Sequence, residues 1–423
     1  MTCEIAFIIV AHNSSRTLEA AIGSCIRAVQ ERYPGRGQVV VYDNASQDRT
    51  GQILDQFACA HPDLFLGIKG KENLGYGQAN NRAMECVPSR YYALVNPDVR
   101  FEPEMLGPLL TALETDPKAV IVCPQLLYPD HTRQPSVRHF PTLAYFLLKN
   151  LLGQKLQQRL YPFTYAYSDL PEDRATPVDW GIGAFLLVSG DYVRKYGLFD
   201  ERFFLYFEDV DLCLKAWQNH GKVLYEPRAT AYHLYQRAST RTSFNYLRLL
   251  HTLSGLKFFA KNRNLWWKNP APRAPQKLLL VCSPGGHLST MMGLQRFWSH
   301  FPREWVSYEK INSEQLHRGQ EVVHWVEKQE ARDFSLKNFL SAFAILRQSR
   351  PDLILSTGAS LAVPFLFAGK VLGIKTIYIE SISRASDLSM TGKLVYNLVD
   401  EFYVQWPECT ERYPKAQYQG IVQ

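Results

Sequence analysis

The stretch EIAFIIVAHNSSRTLEAAIGSCIRAVQERYPGRGQVVVYDNAS, residues 4–46, decides the fold of the first part of the chain. Residues 5–11 form a continuous apolar run that ends in turn-forming residues, which predicts a buried strand. Residues 17–29 have apolar positions at helical spacing, and residues 38–42 predict a second strand. A strand, a helix and a strand in succession predict a parallel sheet, in which ligands bind at the carboxyl ends of the strands. His12 and Asp43 lie at such ends.

A second stretch, FFLYFEDVDLCLKAWQNHG at residues 203–221, places three carboxylates directly after an aromatic run. Apolar residues then recur at helical spacing, so Glu208, Asp209 and Asp211 are predicted at the amino terminus of a helix. Acids in a first turn commonly cap a helix and complement its dipole. A catalytic site is the alternative, and the other carboxylates of the chain bear on that choice.

Length and composition limit the class of protein. A chain of 423 residues can hold two or three domains, and 46% hydrophobic with 21% charged residues is typical of a globular chain. The eight cysteines are scattered and form no C-x-x-C pair, which indicates a reducing compartment and argues against a cysteine-built zinc site. No apolar run approaches the ~20 residues that span a bilayer.

Basic charge is concentrated in two stretches, residues 131–168 and 227–303, which contain no Asp or Glu. Basic residues interleaved with large apolar ones suit a helix that lies peripherally on an anionic membrane surface. The aromatic residues expected at the headgroups are Phe258, Phe259, Trp266 and Trp267. Nucleic acid would use the same charges, but we expect no nucleic-acid partner because no helix-turn-helix, zinc finger or RNA-binding sheet motif is present.

Two further segments follow predicted strands. NLGYGQANN at residues 73–81 combines two glycines, which permit close backbone approach, with side-chain amides; it is either a binding loop or only the entry to a helix. YYALVNPD at residues 91–98 is a short strand that runs into Asp98, presented by a proline turn.

Taken together, these segments resemble glycosyltransferase family 2, especially the branch that contains bacterial rhamnosyltransferases. The resemblance covers about residues 4–236 and rests on five motifs in order: VVVYDNASQDRT, ENLGYGQANN, YYALVNPDV, WGIGAFLLV and FFLYFEDVDLCLKAWQNHGKV. It implies an α/β domain of the GT-A type with a Rossmann-like mixed sheet.

The resemblance also implies the roles of particular residues. Asp209 would be the general base that deprotonates an acceptor hydroxyl, Glu208 would orient the acceptor or the base, and Asp211 would cap the helix. The residues implied for the nucleotide-sugar donor are Asp43, Asn73, Gly75, Asn80, Asp98, Trp180 and Gly183. For Trp180 and Gly183, a tight turn before a strand is an equal alternative.

A divalent cation, Mg²⁺ or Mn²⁺, is implied to bridge the donor diphosphate and Asp98. Many relatives carry Asp-x-Asp where this chain has Asn96-Pro97-Asp98, so we expect weaker metal binding unless His233 supplies a ligand. The alternative for His233 is a satisfied histidine at a strand end.

The proline-rich residues 266–275 predict a stiff linker and therefore a domain boundary. We expect a first domain at 1–236, a membrane-surface helix and linker at 237–275, and a second domain at 276–423. The second domain begins with a strand, a glycine-rich turn and a helix. Residues 351–360 then predict a strand followed by a loop, and further strands are predicted at 376–380 and 401–404. This alternation predicts a second doubly wound α/β unit.

The second domain resembles the membrane-associated subunit of split GT-B transferases, through LLLVCSPGGHLS, RPDLILSTGAS, KTIYIESISR, TGKLVYNLVDEFYVQW and YQGIV. The resemblance implies a single Rossmann-like GT-B half-domain that holds a lipid-linked acceptor. Because the chain stops where the donor half would begin, we expect a small donor-binding partner protein. The acceptor-site candidates are Gly285, Gly286, His287 and Glu380.

The function predicted from both resemblances is inverting transfer of a sugar from a nucleotide donor to a lipid-linked saccharide, in cell-surface polysaccharide biosynthesis at the cytoplasmic membrane face. The second domain would recruit its partner for a second transfer. One alternative makes the second domain only a docking scaffold, and another makes the first domain a nucleotidyltransferase.

Overall fold

The computed structural model describes residues 3–143, 146, 147, 167, 170–234, 244–263, 277–309, 316, 321–327 and 335–422. The chain divides into two compact units. The first comprises Met1–Phe140 and Ala166–Arg263, and the second comprises Pro141–Tyr165 and Asn264–Gln423. Each unit has its own sheet, and the α/β fold class predicted from the sequence is confirmed in both.

The first unit is built on a mixed sheet. Its strands are β1 (Cys3–Ala11), β2 (Gly37–Asp43), β3 (Phe65–Lys69), β4 (Ser89–Val95), β5 (Val99–Phe101), β6 (Ala119–Leu127), β7 (Val137–Arg138), β8 (Thr176–Pro177), β9 (Trp180–Gly181), β10 (Phe185–Ser189) and β11 (Lys222–His233). The order in the mixed sheet is β3-β2-β1-β4-β10-β6-β11-β5, with β8 paired to β11, and β7 and β9 form a separate two-stranded sheet. Strands β1 to β4 are parallel, whereas β10 runs antiparallel to β4 and β6. The predicted mixed sheet is thereby confirmed.

Helices cover this sheet. They are α1 (Leu18–Arg32), α2 (Thr50–Ala60), α3 (Tyr76–Glu85), α4 (Leu106–Thr115, after a short 3₁₀ turn at Pro103–Met105), α5 (Gly190–Tyr196), α6 (Glu208–Gln218) and α7 (Phe244–Lys261). In α1, Leu18, Ala21, Ile22 and Cys25 are fully buried, because their three- and four-residue spacing forms one apolar stripe. Burial of each such Leu or Ile stabilises the fold by about 1.5–3 kcal/mol.

Helix α7 occupies part of the segment predicted to lie on a membrane. Phe258 and Phe259 are buried, and the Phe258 ring packs 5.2 Å from the ring of Phe207, so the prediction that both face lipid headgroups is wrong. Helical rotation turns these two positions toward the protein. Trp266 and Trp267 lie outside the described residues. Among the helices that the structure describes, none is long and apolar enough to cross a membrane.

The second unit is a parallel sheet. Its strands are β12 (Leu278–Val281), β13 (Arg303–Ser307), β14 (Val323–Trp325), β15 (Leu353–Ser356), β16 (Lys375–Ile379), β17 (Glu401–Val404) and β18 (Ala416–Tyr418), in the order β14-β13-β12-β15-β16-β17-β18. Every pairing is parallel. The strands predicted for β12, β15, β16 and β17 are confirmed, while β13, β14 and β18 were not predicted.

Helices cover both faces of this second sheet. They are α8 (Gly286–Gly293), α9 (Gln295–Trp298), α10 (Leu336–Ser349), α11 (Ala362–Leu372), α12 (Met390–Val395) and α13 (Glu408–Arg412). The strand order reverses between β12 and β15, so the crevice at their carboxyl ends is where a doubly wound sheet binds its ligand.

Candidate active site

Polar residues follow three neighbouring parallel strands at one edge of the first sheet. Ala11, the last residue of β1, pairs with Asp43, the last residue of β2, and β1 also pairs with β4 as far as Val95. Asp43 is only 6% exposed. The prediction that His12 and Asp43 lie together at strand ends is therefore confirmed, and Asn96 joins them from β4.

Asn44 connects this edge to the loop of residues 73–75. Its Nδ2 donates to Asn73 Oδ1 at 2.8 Å and to Gly75 O at 3.2 Å, and its Oδ1 accepts from Leu74 N at 2.8 Å. Gly75 N in turn donates to Asn73 Oδ1 at 2.9 Å. Sequence reasoning missed Asn44, although its position directly after Asp43 was a usable signal.

Gly75 lies against the segment that carries the catalytic candidates. Its backbone is left-handed, with φ of 81°, and a Cβ at this position would overlap the carbonyl oxygen of Phe204. Tyr76 N donates to the same oxygen at 2.9 Å. Glycine is therefore required here both for backbone conformation and for close approach.

Asn80 does not reach the surface of the site. It is fully buried in α3, and its Nδ2 donates to Tyr76 O at 2.8 Å. Its Oδ1 is a buried acceptor without a partner in the part of the chain that the structure describes. Binding of the nucleotide sugar by Asn80 stays a prediction. It would require the nucleotide sugar to reach this buried oxygen.

Asp209 is held by two backbone amides. Its Oδ2 accepts from Gly183 N at 3.0 Å, and its Oδ1 accepts from Val210 N at 2.8 Å. The carbonyl group of Gly183 is also held in place, because the Tyr76 hydroxyl donates to Gly183 O at 2.8 Å. Gly183 was predicted to bind the donor; here its amide orients the carboxylate.

The pKa values of the two neighbouring carboxyls, Glu208 and Asp209, are both raised. The contacts that oppose the rise differ between the two. Burial raises the pKa of Glu208 well above its usual range, and the charge of Asp209 raises it further. Burial also raises the pKa of Asp209, while the amides of Gly183 and Val210 and the positive charge of Arg138 oppose that rise. Asp209 is therefore the carboxyl of the pair that ionises more readily, as a general base requires.

Asp211 does not cap α6, contrary to the prediction. It is 2% exposed, and its carboxylate accepts from Lys261 Nζ at 2.8 and 2.7 Å. The residue before the helix is Phe207, whose backbone is left-handed and which provides no side-chain cap. The Lys261 cation, whose side chain is 27% exposed, thus engages the acid that was expected to face the helix terminus.

Asp98 and His233 are brought together, and their predicted role as metal ligands stays a prediction. Strand β11 pairs His233 with Val99 of β5, and His233 Nε2 lies 3.3 Å from Asp98 Oδ1. His233 Nδ1 lies 3.0 Å from Gln134 Oε1, which can only accept, so Nδ1 carries the hydrogen. His233 Nε2 thus faces the Asp98 carboxylate, and the two side chains could ligate one cation.

These residues fit a divalent metal only in part. Within the described ranges, no group of three or more His, Cys, Asp or Glu is placed to hold a metal ion. Asn96 Oδ1 is buried without a hydrogen-bond partner in those ranges and could add an oxygen ligand. A site with few protein ligands suits Mg²⁺ or Mn²⁺ bound largely through substrate phosphates and water.

Trp180 packs inside the first unit. It is 3% exposed, its Nε1 donates to His139 O at 3.0 Å, and the Arg138 guanidinium lies 5.5 Å above its ring. The expectation that this ring lines the donor sugar is not met in this conformation, because the protein itself covers the ring. Arg138 was missed by sequence reasoning, since it belongs to a strand of only two residues.

In the second unit, the glycine turn and His287 lie at the strand-order reversal. Gly285 has a left-handed φ of 93°, and a Cβ there would meet nothing within 4 Å. His287 Nδ1 donates to Thr357 O at 2.7 Å, and Thr357 Oγ1 donates to His287 O at 2.6 Å. With Nδ1 as donor, His287 Nε2 is the acceptor. Gly286 begins α8 beside it.

Glu380 is directed into the protein. It is 1% exposed, and its carboxylate accepts from Ser381 N at 2.8 Å and from Ser389 N and Oγ, both at 3.0 Å. These bonds join the end of β16 to the start of α12. The carboxylate is thus engaged by the chain itself, which favours a bracing role over acceptor binding.

Asp43 in the first sheet and His287 and Glu380 in the second lie at or just after the carboxyl ends of strands, where open α/β sheets bind their ligands. The family model "Glycosyl transferase family 2" matches residues 6–168, and the model "Oligosaccharide biosynthesis protein Alg14 like" matches residues 329–422.

Individual relatives agree with these two matches. The chain is 30% identical to the N-acetylglucosaminyl-diphospho-decaprenol L-rhamnosyltransferase of Mycobacterium tuberculosis, over 64% of this chain and 88% of the relative. It is 29% identical to the rhamnosyltransferase WbbL of Escherichia coli, over 63% of this chain and 96% of that protein. It is 32% identical to the human UDP-N-acetylglucosamine transferase subunit ALG14, over 36% of this chain and 85% of the subunit. The chain therefore belongs to glycosyltransferase family 2 and, in its second part, to the Alg14-like family.

Proposed function

We propose that the first unit transfers a sugar, with inversion, from a nucleotide-sugar donor to a lipid-linked saccharide during cell-surface polysaccharide biosynthesis. The observation that carries the proposal is the hydrogen bond by which the Gly183 amide orients the Asp209 carboxylate. Asp209 lies beside Glu208, whose pKa is raised well above its usual range. The names of the mycobacterial and E. coli relatives support rhamnose as the sugar, and the former supports a diphosphate-linked amino sugar as the acceptor.

In this mechanism Asp209 removes the proton of the acceptor hydroxyl as its oxygen attacks the anomeric carbon. The new carbon–oxygen bond forms on the face opposite the bond that breaks, and the nucleoside diphosphate leaves with the bonding electrons. A positioned base of this kind contributes typically 10²- to 10⁴-fold. Burial raises the pKa of Glu208, and in its protonated form this carboxyl can donate a hydrogen bond to the acceptor or to Asp209.

The donor is proposed to lie along the carboxyl edge of β1, β2 and β4, with its nucleoside near Asp43 and the loop of residues 73–75. Asp98 and His233, with Asn96, would hold the divalent cation. When bound, Mg²⁺ or Mn²⁺ supplies positive charge that stabilises the diphosphate leaving group.

The outer face of α7 is proposed to rest on the cytoplasmic surface of the membrane. Four exposed apolar side chains recur along it at helical spacing: Tyr246 (60% exposed), Leu249 (53%), Leu253 (45%) and Leu256 (47%). Residues 227–303 contain no acid, so the surrounding charge suits anionic lipid. Leu249→Glu with Leu253→Glu should weaken binding to phosphatidylglycerol vesicles, and equal binding by wild type and variant would contradict this placement.

The second unit is proposed to recruit a small donor-binding partner and to complete a second transferase, with His287 at its acceptor crevice. The engagement of Glu380 by the chain itself favours the alternative, in which this unit is a docking scaffold. The split enzyme and the docking scaffold differ in whether a second sugar is transferred. A second sugar transfer that needs the partner and is lost in His287→Gln supports a split enzyme, and partner binding without transfer supports a scaffold.

A thermal-shift panel tests the first-unit proposal. The wild-type chain, Asp43→Ala and Asp98→Ala are melted with dTDP-rhamnose, UDP-N-acetylglucosamine or GDP-mannose, with and without Mn²⁺. A ligand at 100 times its dissociation constant stabilises by about 2.7 kcal/mol, which is measurable. Stabilisation by one nucleotide class, dependent on Mn²⁺ and lost in both variants, is expected. No shift at millimolar donor would contradict the proposal.

A further inference from the structure

One face of helix α7 makes hydrogen bonds to residues 202–205, in the segment that leads into α6. Ser254 Oγ donates to Leu205 O at 2.8 Å, and Lys257 Nζ donates to Arg202 O at 3.0 Å. Residues three apart lie on the same side of a helix. The chain that precedes the two catalytic carboxylates is thus fastened to α7 along its length.

This segment contains an unusual backbone. Tyr206 and Phe207, directly before Glu208, are both left-handed, with φ of 69° and 70°. The ring of His251 lies 5.4 Å from that of Tyr206 and 5.3 Å from that of Phe207, and Phe258 packs at 5.2 Å on Phe207. Strained backbone persists only where its surroundings over-determine it, and α7 supplies those surroundings.

An ion pair completes the attachment at the far end of α7. Lys261 Nζ donates to both oxygens of Asp211, at 2.8 and 2.7 Å, and to Asp200 Oδ2 at 2.7 Å. Asp211 is buried and lies two residues after Asp209. The Nζ of nearby Lys215 donates to three backbone carbonyls. Lys261 is therefore the cation in direct contact with this buried carboxylate, which would be costly to leave unpaired.

We propose that Lys261 is a positioning residue for sugar transfer: through Asp211 and Asp200 it fixes the first turn of α6 and so keeps Asp209 on the Gly183 amide. The inference rests on the proposed function, in which Asp209 is the general base. Lys261 acts through other side chains and not on the substrates. Its effect can be large, because a misplacement of about 1 Å in a reacting group can cost about 10²-fold in rate.

The kinetic test uses the full chain as wild type, Lys261→Met, Lys261→Arg and the double variant Lys261→Met/Asp211→Asn. We expect Lys261→Met to lower kcat by about 10- to 100-fold and to leave the KM for the nucleotide sugar within about threefold. Lys261→Arg should restore most of kcat because it keeps the charge. The double variant leaves no unpaired charge, so its thermal midpoint should recover while kcat stays low. Recovery of kcat together with the midpoint would overturn the proposal.

A second measurement does not depend on activity. Hydrogen exchange of the Gly183 amide reports directly on its bond to Asp209. We expect this amide to exchange about tenfold faster in Lys261→Met than in the wild type. It should keep the wild-type rate in Lys195→Met, because Lys195 Nζ lies over the Tyr196 ring and the donor to Asp211 is Lys261.

Unchanged Gly183 exchange in Lys261→Met would also overturn the inference. Absence of sugar transfer by the wild type would instead overturn the proposed function, and the exchange measurement would still decide whether Lys261 positions Asp209.

Discussion

The backbone amide of Gly183 donates a hydrogen bond of 3.0 Å to Asp209 Oδ2, joining residues 26 positions apart in the sequence. The bond links the turn before β10 to the first turn of α6. It fixes the direction of one carboxylate, whereas Glu208 Oε2 is buried without a hydrogen-bond partner among the described residues. Two adjacent acids thus have different surroundings, and this difference underlies the first two predictions.

Asp209→Asn should abolish the base while keeping the shape of the site. We expect kcat to fall by about 10²- to 10⁴-fold, with the donor-induced thermal shift unchanged. Steady-state transfer assays and melting curves measure the two effects. Asp191→Asn is the matched control, because its side chain is 87% exposed and pairs only at the surface with Arg194. A loss of less than about tenfold would argue against a base role.

Glu208→Gln should stabilise the protein increasingly as pH rises. Burial raises the pKa of Glu208, so between its ordinary and its folded pKa the folded state holds a proton that the unfolded state has released. The free energy of unfolding of the wild type then falls with pH, by at most about 1.4 kcal/mol per pH unit from this group.

The measurement is the difference in thermal midpoint between Glu208→Gln and wild type, from about pH 5 to about pH 8. It should widen with pH. Glu102→Gln, at a side chain 74% exposed, serves as the control and should show no such trend. A pH-independent difference for Glu208→Gln would mean that the carboxyl is not held protonated.

Gly75→Ala should damage both stability and donor binding. A side chain there needs a left-handed backbone, which costs about 1–2 kcal/mol, and would also overlap the Phe204 carbonyl. Gly107→Ala is the matched control: nothing lies within 4 Å of its Cβ position in α4, so it should stabilise by about 0.5–1 kcal/mol. Melting curves with and without nucleotide sugar measure both. A tolerated Gly75→Ala would show that the loop can move away from Phe204.

Asn96→Asp should strengthen metal binding and weaken the metal-free protein. The buried Oδ1 has no partner in the described chain, so a carboxylate there adds a charged oxygen ligand in the presence of cation and an unpaired buried charge without it. We expect the Mn²⁺ concentration for half-maximal stabilisation to fall about tenfold. The midpoint in EDTA should fall as well. Equal shifts in both conditions would place Asn96 away from the metal.

The strands could be predicted wherever the apolar run was continuous. Residues 5–11 and 38–42 became β1 and β2, and the carboxyl-end rule then brought His12 and Asp43 together. Strand β13, with the sequence REWVS, and strand β18, with only three residues, escaped prediction because neither is a long apolar run. Local pattern thus predicts strands with a continuous apolar run and misses strands such as β13, whose first two residues are charged.

The candidate site was predictable only where a motif carries it. Asp209, Asp98 and His233 follow from motifs, whereas Arg138 and Lys261 reach the carboxylates through tertiary packing. The same limit explains the error at Asp211, since capping is a local rule and its partner lies 50 residues further along the chain.

The packing of α7 against the segment before α6 also determines which fragment of the first unit is expected to fold by itself. A fragment that ends at residue 236 would contain all five family motifs and yet lack the helix that secures Tyr206, Phe207 and Asp211. Buried aromatic surface on such a fragment would be uncovered, which favours aggregation during expression. The shortest self-sufficient fragment of the first unit is therefore expected to extend through Arg263, where that unit ends.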